Sequence, residues 1–419
     1  MCIIEALQLQ GKGASSGPAS AGPGAGIDMK TITTVADLAI NGAPPAFDEG
    51  LHVGRPNLGS REALDRYLDD IYERNWLTNN GPLVQELESK VADFHGVGHC
   101  VAMANGTIAL EIAIRALELE GEVIVPSYTF VSTAHALSWQ AITPVFADID
   151  PATHNLDPAA VRTMITPRTT GIIGVHLWGR GAPVDELQAV ADEHELSLMF
   201  DAAHAFGCTY GGRKIGGFGA CEVLSFHATK FFNSFEGGAV LTNDDALAGK
   251  MRLMRNFGFS GLDNVIHPGT NGKLNEVCAA MGLVNFESVE NVMQANRRNY
   301  KQYRDGLSGV DSYRLLEFSE QERNNYQYIV LEVQPDCPMT RDDIVAALHT
   351  ENIRARKYFW PGCHRMQPYR DLYPHAGLML PHTIDVARRV IVMPTGAAMS
   401  ADKVEVITSV LRLLAGAKP

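Results

Sequence analysis

Apolar runs alternating with amphipathic stretches predict an α/β protein. The expected architecture is a mostly parallel seven-stranded sheet flanked by helices, followed by a smaller C-terminal α+β unit. Three observations carry this. Strand-like runs at 99–104, 122–126, 143–149, 170–177, 196–201, 222–227 and 238–242 are apolar along their length instead of alternating, as strands buried on both faces are. Helix-like stretches lie between several of them, at 107–118, 130–140, 157–164 and 184–195, and parallel strands need such crossovers. After a long helical region over 273–307 the pattern changes: strand-like runs at 312–318, 326–333 and 353–359 mix with helices near 340–350 and 400–414.

Ahead of the sheet, two amphipathic helices are expected near 61–75 and 82–95. Residues 11–28 (GKGASSGPASAGPGAGID) are rich in Gly, Ala, Ser and Pro. Such a segment buries too little apolar area to offset its ordering entropy, so residues 1–28 read as a flexible tail. A chain of 419 residues exceeds what one compact core holds. The expected division is a large domain over 29–309 and a small one over 310–419.

Composition narrows the function. Lys and Arg total 35 against 48 Asp and Glu, a formal charge of −13, which disfavours broad nucleic-acid binding. No apolar run reaches the roughly 18 residues of a membrane span, and the N-terminus lacks the charge and apolar pattern of a secretory signal. Seven scattered cysteines without a C-x-x-C pair argue against a disulfide framework or a zinc site, so no metal is expected. Reduced thiols fit a cytoplasmic protein. A nicotinamide oxidoreductase would share the α/β pattern, but no G-x-G-x-x-G follows an early strand.

Ligands of parallel α/β sheets bind beyond the C-terminal strand ends, and four such places stand out. At Asn105-Gly106-Thr107 a strand turns into a helix, whose first N–H groups attract an anion. In PSYTF (126–130), Tyr128 is placed to lie on an aromatic ring. In DAAHAFG, Asp201 ends a buried strand and His204 follows; a buried carboxylate needs a cation or donor, and a protonated pyridine nitrogen would serve. In SFHATKFF, Ser225 can donate to a phosphate, and Lys230 sits among Phe226, Phe231 and Phe232, where desolvation makes an amine a better nucleophile and base. Singly, each has an ordinary explanation: a helix cap, a core tyrosine, a structural ion pair, a lysine snorkelling to water. Together they are an anion cradle, a ring-stacker, an acid for a ring nitrogen and a nucleophilic amine, the parts of a pyridoxal 5'-phosphate site.

The chain resembles the DegT/StrS-type sugar aminotransferases over roughly 50–415. NGTIAL, PSYTFVSTAHA, PVFADID, GVHLWG, DAAHAFG, SFHATK, EGGAV, NGKLNE and PTG follow the family's order and spacing. SFHATK followed by EGG is the most specific of these. The resemblance implies the fold-type I architecture of aspartate aminotransferase. It implies that Lys230 carries the cofactor as a Schiff base and shuttles the proton, that Asp201 pairs with the pyridine nitrogen, and that Tyr128 stacks on the ring. Gly106, Thr107 and Ser225 would hold the phosphate. His204 stands where many members have Gln, against the ring or its 3-hydroxyl side. Asn271 matches an asparagine that reaches the phosphate of the neighbouring subunit's cofactor, which implies a homodimer with shared active sites. NGT replaces the usual Ser-Gly-Thr, and NGK stands where an aromatic and an arginine are common.

The reaction so implied is ping-pong transamination from L-glutamate to a nucleotide-linked sugar, with a dTDP-linked 4-keto-6-deoxyhexose as the expected acceptor. Arg354, Arg356 and Tyr358 are candidates for the nucleotide-sugar side. A 3-keto-sugar aminotransferase, a PLP-dependent sugar dehydratase and a non-catalytic sensor of the same fold are the competing readings. Dehydratase relatives replace the lysine by histidine; Lys230 favours transamination.

Overall fold

In the computed structural model, which describes residues 30–416, the seven apolar runs form one sheet. Its strands are β1 (His99–Met103), β2 (Glu122–Pro126), β3 (Thr143–Ala147), β4 (Thr169–Val175), β5 (Ser197–Asp201), β6 (Cys221–Ser225) and β7 (Gly238–Thr242). Their order across the sheet is β1-β7-β6-β5-β4-β2-β3. Only β7 is antiparallel to its neighbours. The segment from β6 to β7 holds no helix to cross over with, so the chain must return in the opposite direction. The expected flexible tail lies outside the described residues.

The sheet is buried on both faces, which is why its strands read as unbroken apolar runs. On β5, Leu198 and Phe200 join one apolar cluster while Met199 joins another. On β2, Ile124 faces the first, and Val123 and Val125 face the second. The first cluster is covered by α1 (Arg61–Arg74) and α2 (Pro82–His95); the second by α3 (Gly106–Ala116) and α4 (Ser132–Ser138). Four more helices complete this unit: α5 (Pro158–Met164), α6 (Val184–Glu193), α7 (Asp245–Met254) and α8 (Glu276–Phe286).

Glu276 ties α8 to α2. Its buried carboxylate accepts the N–H groups of Leu83 and Val84, both at 3.0 Å. These are two of the donors that a helix start leaves free. A Cβ at Gly81 would lie 2.5 Å from that carboxylate, so this cap has room only for glycine.

The long helical region expected over 273–307 is two helices, α8 and α9 (Val289–Gly306). Ser288 breaks it: its N–H and hydroxyl both donate to Asn285 O, at 3.1 and 2.9 Å. Beyond lies a three-stranded antiparallel sheet of β8 (Tyr313–Leu315), β9 (Ile329–Val333) and β10 (Val390–Met393). It packs with α9, α10 (Arg341–Thr350) and the last helix, Ala401–Leu414, around a cluster that also takes in Ile32, Leu38, Phe47 and Leu51.

The strand expected over 353–359 is only Ile353–Arg354, paired with Leu51–His52. The chain turns soon after, with Trp360 N–H donating to Lys357 O at 2.8 Å. Strand β10 and the helix Pro381–Arg389 before it have no counterpart in the sequence reading.

Candidate active site

The C-terminal ends of the parallel strands open into a cavity of about 520 Å3, within the range of small-ligand sites. Gly106, Thr107, Asp201, His204, Ser225, Lys230 and Tyr358 all line it.

One end is built to hold an anion. Asn105 caps α3, its side chain accepting Ile108 N–H at 2.9 Å, and Gly106 and Thr107 open the helix at the cavity wall. A Cβ on Gly106 would sit 3.0 Å from that of Ser225, and one on Gly238 would collide with Gly106 N at 2.6 Å. Two glycines therefore let β6, β7 and the start of α3 close to within contact. The hydroxyl of Thr107 pairs with that of Ser132 at 2.9 Å. Amides at a helix start, with hydroxyls from Thr107, Ser132 and Ser225, are a phosphate-binding arrangement.

Asp201, also on the cavity wall, is 6% exposed. One carboxylate oxygen accepts the Thr133 hydroxyl (2.8 Å) and the other accepts Ala203 N–H (3.0 Å). Neither partner is charged. The cationic charge acting on Asp201 is that of Lys230, which lies at the cavity wall with its amine in no hydrogen bond or ion pair among the described residues. Removal from water lowers the Lys230 pKa to about 8, and the Asp201 charge opposes part of that fall.

The phenylalanines flanking Lys230 do not line the cavity. Phe226, Phe231 and Phe232 are buried, and Phe232 stacks on Phe206 at 4.3 Å. They fix the turn, and Lys230 N–H donates to His227 O at 2.8 Å. The lysine projects from a rigid base.

His204 is packed among rings: Tyr328 at 4.5 Å, Phe359 at 5.9 Å and Trp178 at 6.0 Å between centroids. Its Nδ1 accepts the backbone N–H of Trp178 at 3.3 Å. Burial, and then the Lys230 charge, hold its pKa well below the usual histidine value. The ring is neutral, with its one proton on Nε2.

Tyr128 is a correction. It is fully buried, its hydroxyl donates to Tyr358 O at 2.7 Å, and its ring meets His154, Trp178 and Phe359 edge-on. It braces the cavity wall from behind and presents no face to a ligand. The aromatic of PSYTF that reaches the cavity is Phe130, 46% exposed. Arg354 and Arg356 do not line the cavity either. Arg354 bonds Asn352 Oδ1 at 2.7 Å, and the Arg356 guanidinium lies 5.1 Å from the centre of the Tyr358 ring, outside the wall. Asn271 is exposed and does not line the cavity; it is bridged to Asn256. The sequence reading also missed Tyr328 and Phe359, which the C-terminal unit contributes to the wall.

The sequence pattern of the DegT/DnrJ/EryC1/StrS aminotransferase family matches residues 60–412. The chain belongs to that family. It is a pyridoxal-phosphate-dependent sugar aminotransferase with the expected fold-type I architecture. A dTDP-4-amino-4,6-dideoxy-D-glucose transaminase of Shigella dysenteriae is 36% identical over 87% of this chain and 99% of its own. A GDP-perosamine synthase of Caulobacter vibrioides is 35% identical over 77% of the chain and 87% of its own. Among solved structures, DesI with its TDP-sugar product is 47% identical, with a TM-score of 0.87 over 91% of this chain and 97% of that one. Helicobacter pylori PseC, an aminotransferase of pseudaminic acid biosynthesis, is 27% identical with a TM-score of 0.82, over 88% of this aminotransferase and 100% of PseC. No helix among the described residues is long and apolar enough to cross a membrane.

Proposed function

We propose that this aminotransferase moves the amino group of L-glutamate to C4 of a dTDP-linked 4-keto-6-deoxyhexose. The observation that carries it is the unpartnered Lys230 amine, with its pKa lowered to about 8, sharing a cavity with the buried carboxylate of Asp201. The acceptor follows from the relatives named for dTDP-4-amino-4,6-dideoxy-D-glucose and from DesI with its TDP-sugar product.

The residues fit pyridoxal 5'-phosphate. Asp201 has no charged hydrogen-bond partner and offers an acceptor to a protonated ring nitrogen. Gly106, Thr107 and Ser225 suit the phosphate, with the Ser132 hydroxyl beside them, and Phe130 takes the stacking role first expected of Tyr128. When bound, the cofactor supplies an aldehyde carbon and an electron sink. Lys230 would hold it through its side-chain nitrogen, and the same amine is the group that would move a proton at the reacting carbon. An amine of pKa about 8 suits both directions near neutral pH. Asp201 keeps the ring nitrogen protonated, and neutral His204 donates to an oxygen beside it.

The reading includes a cytoplasmic homodimer in which Asn271 reaches the partner's phosphate site, and a small domain over 310–419 that walls the cavity. Borohydride reduction of the holoenzyme, followed by digestion, should leave the pyridoxyl tag on the peptide containing Lys230. L-glutamate should bleach the visible band, and product NMR should find the new C–N bond at C4. A tag on another lysine refutes the site; a bond at C3 refutes the acceptor.

A further inference from the structure

Buried tyrosine hydroxyls in this protein find partners. Tyr128 donates to Tyr358 O (2.7 Å), Tyr303 to Pro394 O (2.9 Å), Tyr313 to Leu411 O (3.1 Å), and the Tyr369 hydroxyl meets His135 Nδ1 (2.6 Å). Tyr328 is different. It is 6% exposed, and its hydroxyl has no hydrogen bond to any described residue. It lines the cavity that holds Lys230. Its hydroxyl is not among the buried unpaired polar atoms of the described residues; with the ring buried and the O–H open to the cavity, its donor is free for a ligand that enters.

Its neighbours are tied down. Gln327 Nε2 donates to Thr229 O (3.0 Å), one residue before Lys230, and Gln327 N–H donates to Asn325 Oδ1 (3.1 Å). Asn325 Nδ2 in turn donates to His204 O and Phe206 O, at 2.9 and 3.2 Å. Residues 325–327 thus stitch the start of β9 to the lysine turn and to the segment after Asp201. The Tyr328 ring lies 4.5 Å from that of His204, whose Nδ1 is occupied by Trp178 N–H, leaving Nε2–H as its free donor. Burial, and then the nearby Tyr358 and Asp201, keep the Tyr328 hydroxyl protonated.

We infer that Tyr328 O–H and His204 Nε2–H form a donor pair for one ligand oxygen beside Lys230. Two adjacent donors with no acceptor between them complement an oxygen that is anionic or strongly polarised. The inference rests on the reading of this cavity as the cofactor and keto-sugar site. Two oxygens have the required chemistry: the ring oxygen of pyridoxal phosphate and the carbonyl oxygen of the keto sugar.

Tyr328→Phe in the holoenzyme tests it, because the ring and its packing remain. A donor to the ring oxygen counts most when the adjacent Lys230 nitrogen has lost its proton. Its removal should therefore raise the pH midpoint of the visible band by about one unit. If the oxygen is the sugar's, the midpoint stays, the glutamate half-reaction is unchanged, and the sugar half-reaction slows about tenfold. If neither the midpoint nor the sugar half-reaction moves, the donor pair does not exist. Melting temperature and bound cofactor report folding, and Tyr326→Phe, whose ring packs on Tyr300 and Phe318 away from the cavity, should leave the band midpoint and both half-reactions as in wild type. A holoenzyme that shows no glutamate-sensitive band would count against the proposed function instead.

Discussion

Lys230 makes folding stability depend on pH in a way that can be isolated. In the apoenzyme no cofactor holds its amine, and the folded environment lowers its pKa from 10.5 to about 8. Each unit is about 1.36 kcal/mol, so a shift of about 2.5 units is worth about 3 kcal/mol. The sign follows from proton counting. Between pH 8 and 10.5 the unfolded lysine holds its proton and the folded one has released it. The unfolded state therefore binds more protons, and stability rises with pH across that window. Below pH 8 the whole penalty for a desolvated ammonium is present; above 10.5 it is gone. Lys230→Met removes the charge and keeps most of the length. Urea unfolding of both apoenzymes, at one protein concentration and followed by tryptophan fluorescence, should show the wild-type free energy gaining about 3 kcal/mol on the variant between pH 7 and 10.5. Every other titrating tyrosine and cysteine is present in both proteins and cancels. A difference that stays flat with pH would mean that the folded amine is as well solvated as a free one, and the nucleophile argument would lose its physical basis.

Other outcomes follow from the same geometry. Tyr128→Phe loses one buried hydrogen bond and should cost about 1 kcal/mol in urea unfolding, with the cofactor spectrum unchanged. Phe130→Ala should weaken cofactor affinity about tenfold, read by dialysis and absorbance, and leave the melting temperature within a few degrees, because the side chain is half exposed. Glu332 accepts from His154 Nε2 (2.9 Å), Arg389 (2.8 Å) and Arg314. Burial alone would raise its pKa, but the His154 and Arg314 hydrogen bonds bring it down to about 2. Wild type should therefore lose about 3 kcal/mol relative to Glu332→Gln as pH falls from about 4.5 to 2, measured by denaturant titration.

Much of the large unit was legible because its physics is local. A strand covered on both faces is apolar along most of its length, and seven such runs mark seven strands whatever their order. The order is not local: β7 enters between β1 and β6 because no helix separates it from β6. Asp201 and Lys230 could be found from sequence because charge at an apolar strand end is rare enough to demand a reason. Tyr128 misled for the converse reason. Its hydroxyl suggests a side chain that reaches polar surroundings, yet its acceptor is a carbonyl 230 positions later, which no pattern around 126–130 contains. Phe130, which the sequence reading did not single out, is the residue that reaches the cavity. The distinction depends on how the chain leaves β2, where strand alternation no longer applies.

The strand-end rule has a further blind spot. It searches one sheet, and it recovered residues of that sheet. Tyr328 and Phe359 come from the C-terminal unit, from the head of an antiparallel strand and from a turn, and neither place is privileged by fold-level reasoning. Their side chains look like ordinary core aromatics. What marks Tyr328 is a hydroxyl on the cavity wall with no partner among the described residues, and that emerges only once the hydroxyls of Tyr128, Tyr303, Tyr313 and Tyr369 have been matched to theirs. Residues that recognise a substrate are the hardest to read from a sequence for this reason. The cofactor's demands are fixed by its chemistry and recur as short motifs, whereas the sugar side is assembled from whatever the second unit brings to the rim. Arg354 and Arg356 were expected there from charge alone, and they stand outside the wall while uncharged rings form it.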